Sequence, residues 1–144
     1  PARHFAAVAD RLVREGFQIV LTGSGDEAAL VAEVAGYMRE PAINLAGRTD
    51  LWCLGAVVEA AAVVVTNDTG MSHVAAAVGT PSVVVSCGSD VARWAPLDHQ
   101  RHLCLSHELP REELAAAIAP ELVAAAALRH AGGRTRAPAC PPWG

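Results

Sequence analysis

Lysine is absent from this chain: all 11 basic residues are arginine. No side chain can therefore form a Schiff base or serve as the lysine of a P-loop. Aromatic residues are scarce at 4%, against a hydrophobic content of 52%, so a core must be assembled from Val, Leu and Ala. Positive charge is outweighed as well. The net charge is −4, which argues against a nucleic-acid surface. Cys53, Cys87, Cys104 and Cys140 have neither CxxC nor metal-ligand spacing. The expectation is reduced thiols in a cytoplasmic protein, three of them buried and Cys140 in a tail, with no metal site. No apolar run reaches transmembrane length, and no signal peptide opens the sequence. A length of 144 residues suits one domain with a sizeable core. Pro1 leads straight into a helical pattern, which is read as a cut inside a longer protein.

What is present alternates strand and helix. Phe5, Val8, Ala9, Leu12 and Val13 form a helical stripe over residues 1–15, with Gly16 as its stop. Residues 17–21 read as a strand, 22–26 as a turn and 27–38 as a helix that Glu40-Pro41 breaks. Ile43-Asn44-Leu45 is a short strand, and Asp50 is placed to cap a helix over 51–61. Residues 63–66 are a buried strand followed at once by a small-residue helix over 71–78. Pro81 begins another strand, 82–86, and 102–105 is a last short one. A helix over 110–128 contains Pro120, which is expected to kink or split it. Residues 129–144 read as a disordered tail. The pattern predicts an α/β fold, a doubly wound (Rossmann-like) parallel sheet, over residues 1–128. Right-handed crossovers then carry three glycine-bearing loops, 22–26, 46–49 and 67–70, to one sheet edge.

Those loops hold the candidate site. Thr22-Gly23-Ser24-Gly25-Asp26-Glu27 has a GxG without the third glycine of a dinucleotide fingerprint. It reads as a tight strand-to-helix turn in which Glu27 could accept hydrogen bonds from a ribose diol. Ala46-Gly47-Arg48-Thr49-Asp50 is either a plain helix cap or the place where Arg48 grips a phosphate with its fork. The organising stretch is Asn67-Asp68-Thr69-Gly70-Met71-Ser72-His73. Asp68 can cap the helix, but Asp68, Thr69, Ser72 and His73 supply more polar groups than a cap requires. Helix amides at Thr69 to His73 would meet a phosphate without a lysine. No nucleophile elbow is present, and a glycosidase pair of Asp68 with Glu27 is doubtful. The loop at 88–96, with Arg93 and Trp94, reads either as a lid or as a packed connection.

The run from Asn67 through His73 to Val74-Ala75-Ala76-Ala77-Val78-Gly79-Thr80-Pro81 resembles the hallmark of glycosyltransferase family nine, the lipopolysaccharide heptosyltransferases and their relatives. Leu21-Thr22-Gly23, Leu45-Ala46-Gly47-Arg48-Thr49 and the 88–96 loop extend the resemblance over roughly residues 1–128. It implies the C-terminal, donor-binding half of a GT-B enzyme, with the N-terminal acceptor domain absent. The implied reaction is inverting and metal-independent: a sugar, heptose by analogy, passes from a nucleoside diphosphate to a lipopolysaccharide-type acceptor. By position, Glu27 would hold the ribose and the backbone near Thr49 the base. Arg48 would stand beside the phosphates, Asp68 would hold sugar hydroxyls, and Thr69, Gly70, Met71, Ser72 and His73 would bind the diphosphate. No catalytic residue falls on this chain, because the family's general base lies in the N-terminal domain and a lysine near the phosphates lies upstream of Pro1. No cofactor is implied beyond the donor, ADP-heptose by analogy. The full-length enzyme would be cytoplasmic, with room for peripheral association at the inner face of the membrane. The turn at Cys87-Gly88-Ser89-Asp90 departs from the family's wording. Two alternatives use the same strand–turn–helix: a GT-B nucleotide-sugar epimerase and a non-catalytic nucleotide-binding module.

Overall fold

The computed structural model describes residues 1–85, 96, 98–105 and 118–132. The first helix, α1 (Ala2–Arg14), buries Ala6, Val8, Ala9 and Leu12. Gly16, at φ 89°, ends it: the Gly16 and Phe17 amides donate to the Val13 and Leu12 carbonyls at 2.8 and 3.1 Å. This is a Schellman stop, and it folds Phe17 back beside Leu12 in the core. Strand β1 (Ile19–Leu21) follows, then α2 (Ala28–Tyr37), β2 (Ala42–Asn44), α3 (Leu51–Ala60) and β3 (Val64–Asn67). Next come α4 (Gly70–Val78), β4 (Ser82–Val85), β5 (His102–Leu105) and α5 (Pro120–Ala131).

Every ladder is parallel, as the strand–helix alternation requires. Among the described residues the strands form two sets, β1-β2 and β3-β4-β5, rather than one continuous sheet. Sequence pattern fixes which residues form strands but not which edges meet, so the division could not be read from periodicity. Strand β4 is central to its set, with Val83 and Val84 at 0% and 1% exposure. Its alternation turns Val83 and Val85 towards a cluster built from Val8 and Leu12 of α1 and Val123, Ala124, Ala126 and Ala127 of α5. Ile19 of β1 and Val65 of β3 pack on the same cluster, so one apolar body joins the two sets. The core is thus Val, Leu, Ile and Ala, as a chain poor in aromatics must have it.

Two expectations need correction, and one is narrowed. Helix α5 continues to Ala131, so the tail does not start at 129: Ala131 is 3% exposed and belongs to the packed face. Residues 133–144, and with them Cys140, lie outside the described residues, as do the 88–95 loop with Arg93 and Trp94, Cys87 and the 110–117 part of the last helical stretch. Pro120 starts α5 at its first turn, where a missing N–H is tolerated, which settles kink against split in favour of a new start. Finally, Cys53 is exposed rather than buried, because α3 turns Leu51, Trp52 and Cys53 outward and buries Val58.

Candidate functional site

The loop after β1 is held by its own side chains. The Ser24 N–H and hydroxyl donate to Glu27 Oε2 at 2.8 and 3.0 Å, and these bonds hold the Glu27 carboxyl below its ordinary value. The Ser24–Glu27 pairing closes the turn at the entry to α2, whose N-cap is Glu27, a structural duty for that carboxylate. Glu27 remains exposed, on the rim.

The loop after β2 closes onto the first. The parallel ladder runs on past both strands, with the Leu45 amide donating to Leu21 at 2.8 Å and the Gly47 amide to Gly23 at 2.9 Å. Gly47 sits at φ +68°, and a Cβ there would meet the Gly25 Cα at 3.2 Å. A Cβ on Gly23 would stand 2.9 Å from Val31 Cγ2. These glycines permit a backbone-to-backbone clasp, a role that reading them as turn formers missed. The signal was available in the pairing of a GxG after one strand with an AG after the next. The clasp brings Glu27 and Arg48 to neighbouring loops. Arg48 is exposed and makes no ion pair among the described residues, and Thr49 is half-buried beside it. Asp50 caps α3, its Oδ1 accepting from the Cys53 amide at 2.7 Å, which lowers its own pKa, while a side-chain hydrogen bond with Asp50, and then its charge, raise the Cys53 thiol.

The turn after β3 differs from expectation in one respect. Thr69, not Asp68, is the N-cap of α4, with extended backbone at φ −140°, ψ 178°, and it makes no side-chain cap hydrogen bond. Asp68 precedes the cap, half-buried, with its amide donating to the Val85 carbonyl at 3.3 Å at the end of β4. It also raises the Cys104 thiol on β5, after the larger effect of burial. Ser72 is fully buried, and its hydroxyl and amide both donate to the Thr69 carbonyl, at 2.8 and 3.0 Å. Its side chain closes the first turn of α4 instead of reaching outward. Thr69, Gly70 and His73 are exposed and Met71 half-buried. The Gly70 and Met71 amides, which no helix can satisfy internally, lie just past the carboxyl end of a parallel strand.

The tail of the same run does something else. Gly79, at φ 73°, ends α4 with a second Schellman stop, its amide and that of Thr80 donating to Ala76 and Ala75 at 3.2 and 2.9 Å. The buried Thr80 hydroxyl then donates to the Val58 carbonyl of α3 at 2.8 Å. Thus one end of the hallmark run forms an open helix mouth, and the other seats that helix.

A family model for glycosyltransferase family 9 (heptosyltransferase) matches residues 1–119. The chain belongs to glycosyltransferase family 9. Among similar family 9 proteins, lipopolysaccharide heptosyltransferase 2 of Salmonella typhimurium is 39% identical over 108 residues, covering 69% of this chain and 30% of that one. Lipopolysaccharide heptosyltransferase 3 of Escherichia coli is 38% identical over 95 residues, covering 64% of this chain and 28% of that one. The chain therefore spans less than a third of the length of these curated relatives. Its fold matches the solved ADP-heptose lps heptosyltransferase II of E. coli at a TM-score of 0.83 and 29% identity, over 92% of this chain and 42% of that one. A family 9 glycosyltransferase from Veillonella parvula matches at 0.81 and 25%, over 93% and 42%. The α/β fold with parallel strands is that of these GT-B family 9 structures.

Proposed function

We propose that this chain is the donor-binding part of an inverting, metal-independent heptosyltransferase that draws on a nucleoside diphosphate sugar and serves lipopolysaccharide-type acceptors. The observation that carries the reading is the mouth of α4: its cap residue, Thr69, makes no side-chain cap hydrogen bond to the first amides of the helix. An anionic diphosphate meets both those N–H groups and the positive end of the helix dipole there. His73 and Asp68 flank the mouth, and Arg48 and Glu27 stand on the clasped loops after β1 and β2, suited to phosphate and ribose. The names of the relatives supply the sugar and acceptor class. The ADP-heptose of the solved E. coli protein supplies the donor.

In the transfer, the acceptor oxygen bonds to the anomeric carbon as the bond from that carbon to the diphosphate oxygen breaks. The leaving diphosphate keeps the electron pair, and a base takes the acceptor's proton. The residues of this chain act on the leaving group: amides already aimed at the developing charge need no reorganisation as it forms. The base is assigned to a part of the protein beyond residues 1–144.

Calorimetric titration of the chain with ADP, with other nucleoside diphosphates and with their sugars tests the reading. Weak, saturable binding with a preference for one diphosphate is expected. Absence of binding to every diphosphate would overturn it.

A further inference from the structure

Four of the seven described arginines line a single groove of about 500 Å³ along α1, in a chain whose net charge is −4. Arg3, Arg11 and Arg14 project from one side of α1, spaced so that they fall along one stripe, with the small Ala7 between them leaving the floor open. The opposite wall is Tyr37 and Arg39, at and just beyond the end of α2. A buried carboxylate fixes that wall. Asp10 accepts the Arg39 amide at 3.0 and 3.1 Å and the Glu40 amide at 3.1 Å, so its hydrogen bonds go to backbone amides rather than to guanidinium groups. Arg11 pairs with Glu15 at 2.7 Å, but among the described residues Arg3, Arg14 and Arg39 have no ion pair. Glu121, at the α5 rim, is the exposed carboxylate on the lining.

The four arginines outnumber the two carboxylates on the lining, Asp10 and Glu121, so the surplus of like charge around the hollow works against folding, and an anion seated there relieves it. Guanidinium forks match phosphate oxygens in pairs, and several forks converging on a hollow select phosphate over a single carboxylate. We propose that this groove binds a phosphate-bearing ligand on a surface separate from the mouth of α4. The 10 residues of α2 separate Glu27, before its start, from Arg39, beyond its end. At helical rise that is about 15 Å, and the groove lining includes none of the residues placed at the mouth of α4. The inference does not depend on the nucleotide reading of the other site. The phosphate belongs either to the headgroup of an anionic lipid or to a small molecule in solution.

The test is co-sedimentation of the chain with phosphatidylcholine vesicles, with and without phosphatidic acid, beside a titration with inorganic phosphate. Binding is expected to the phosphatidic acid vesicles and not to phosphatidylcholine alone. It should weaken about fivefold for each of Arg3→Gln and Arg14→Gln and stay unchanged in Arg129→Gln, whose exposed side chain lies outside the groove. If vesicles fail while inorganic phosphate binds the natural chain and is weakened in the Arg3→Gln, Arg14→Gln variant, the site stands and its ligand is a soluble phosphate. The inference is overturned if neither probe binds, or if the double variant binds as the natural chain does.

Discussion

The side chains of Ser82 and His102 meet inside the β4–β5 ladder, Oγ to Nδ1 at 2.8 Å, at register-matched positions of the two strands. Burial pushes the His102 imidazole below its ordinary value of 6.5, with Asp98 pulling the other way and Arg101 and His130 adding to the depression. The unfolded chain therefore takes up this proton first as the pH falls. Stability from this position is complete above about pH 6.5, declines below it and levels off beneath the folded value. His4, at the start of α1, shifts in the same direction, burial again being the largest cause. Urea midpoints are expected to drop between about pH 8 and about pH 5, and to drop less in His102→Gln. Parallel curves for the two proteins would contradict this.

Glycine substitutions should divide by location. Gly47→Ala forces a Cβ onto a residue at φ +68° and against the Gly25 Cα, so a loss of roughly 1–2 kcal/mol is expected in urea unfolding. Gly55→Ala, inside α3 with nothing within 4 Å of the new Cβ, should stabilise by up to about 1 kcal/mol. Equal signs for the two would show that the clasp is not under the constraint described.

Asp10→Ala removes the acceptor for two backbone amides that α1 holds at the end of α2. The loss expected is roughly 2–3 kcal/mol, and amide exchange should quicken first at Arg39 and Glu40. Protection there unchanged in the variant would mean that water replaces the carboxylate without penalty.

Gly70→Pro separates the helix mouth from the helix. Gly70 is the first residue of α4, a Cβ there meets nothing within 4 Å, and Thr69 before it is already extended, as a residue preceding proline prefers. The fold should be kept, with one amide lost from the mouth. Nucleoside diphosphate affinity is expected to fall about tenfold, that of a charge-assisted hydrogen bond. Unchanged affinity would move the diphosphate elsewhere.

His73→Ala, introduced into the full-length protein, is expected to lower transfer of radiolabelled sugar by about 100-fold or more, in line with removing a group that acts on a leaving oxyanion, and Asp68→Ala is expected to lower it through lost hydrogen bonds to the sugar hydroxyls. The chain spanning residues 1–144 alone is expected to give no transfer. Full activity in either variant would favour a nucleotide-binding module whose chemistry lies elsewhere.

Much of this was legible in the sequence, where local chemistry decides the outcome. The stripe of α1, the Gly16 stop and the Asp50 cap are encoded within a few residues of where they act, and all appear as read. What could not be read is set by partners distant in sequence. Asp10 reads as an ordinary polar position until Arg39, 29 residues on, folds against it. The inward turn of Ser72 depends on the carbonyl of Thr69, and the identity of the cap depends on a backbone angle rather than on residue type. Cys53 is exposed because α3 turns its first residues outward, and only packing shows which side of that helix is left open.

The aim of α4 is decided at its C-terminal end. Thr80 fastens the helix to the last turn of α3 through Val58, and Gly79 lets the chain turn sharply enough to do so. The helix is thus held like a pointer clamped at its tail, and slack at the clamp becomes a swing at the tip. Losses of activity from changes at Gly79 or Thr80 would then be faults of direction rather than of contact, recoverable by whatever restores the angle.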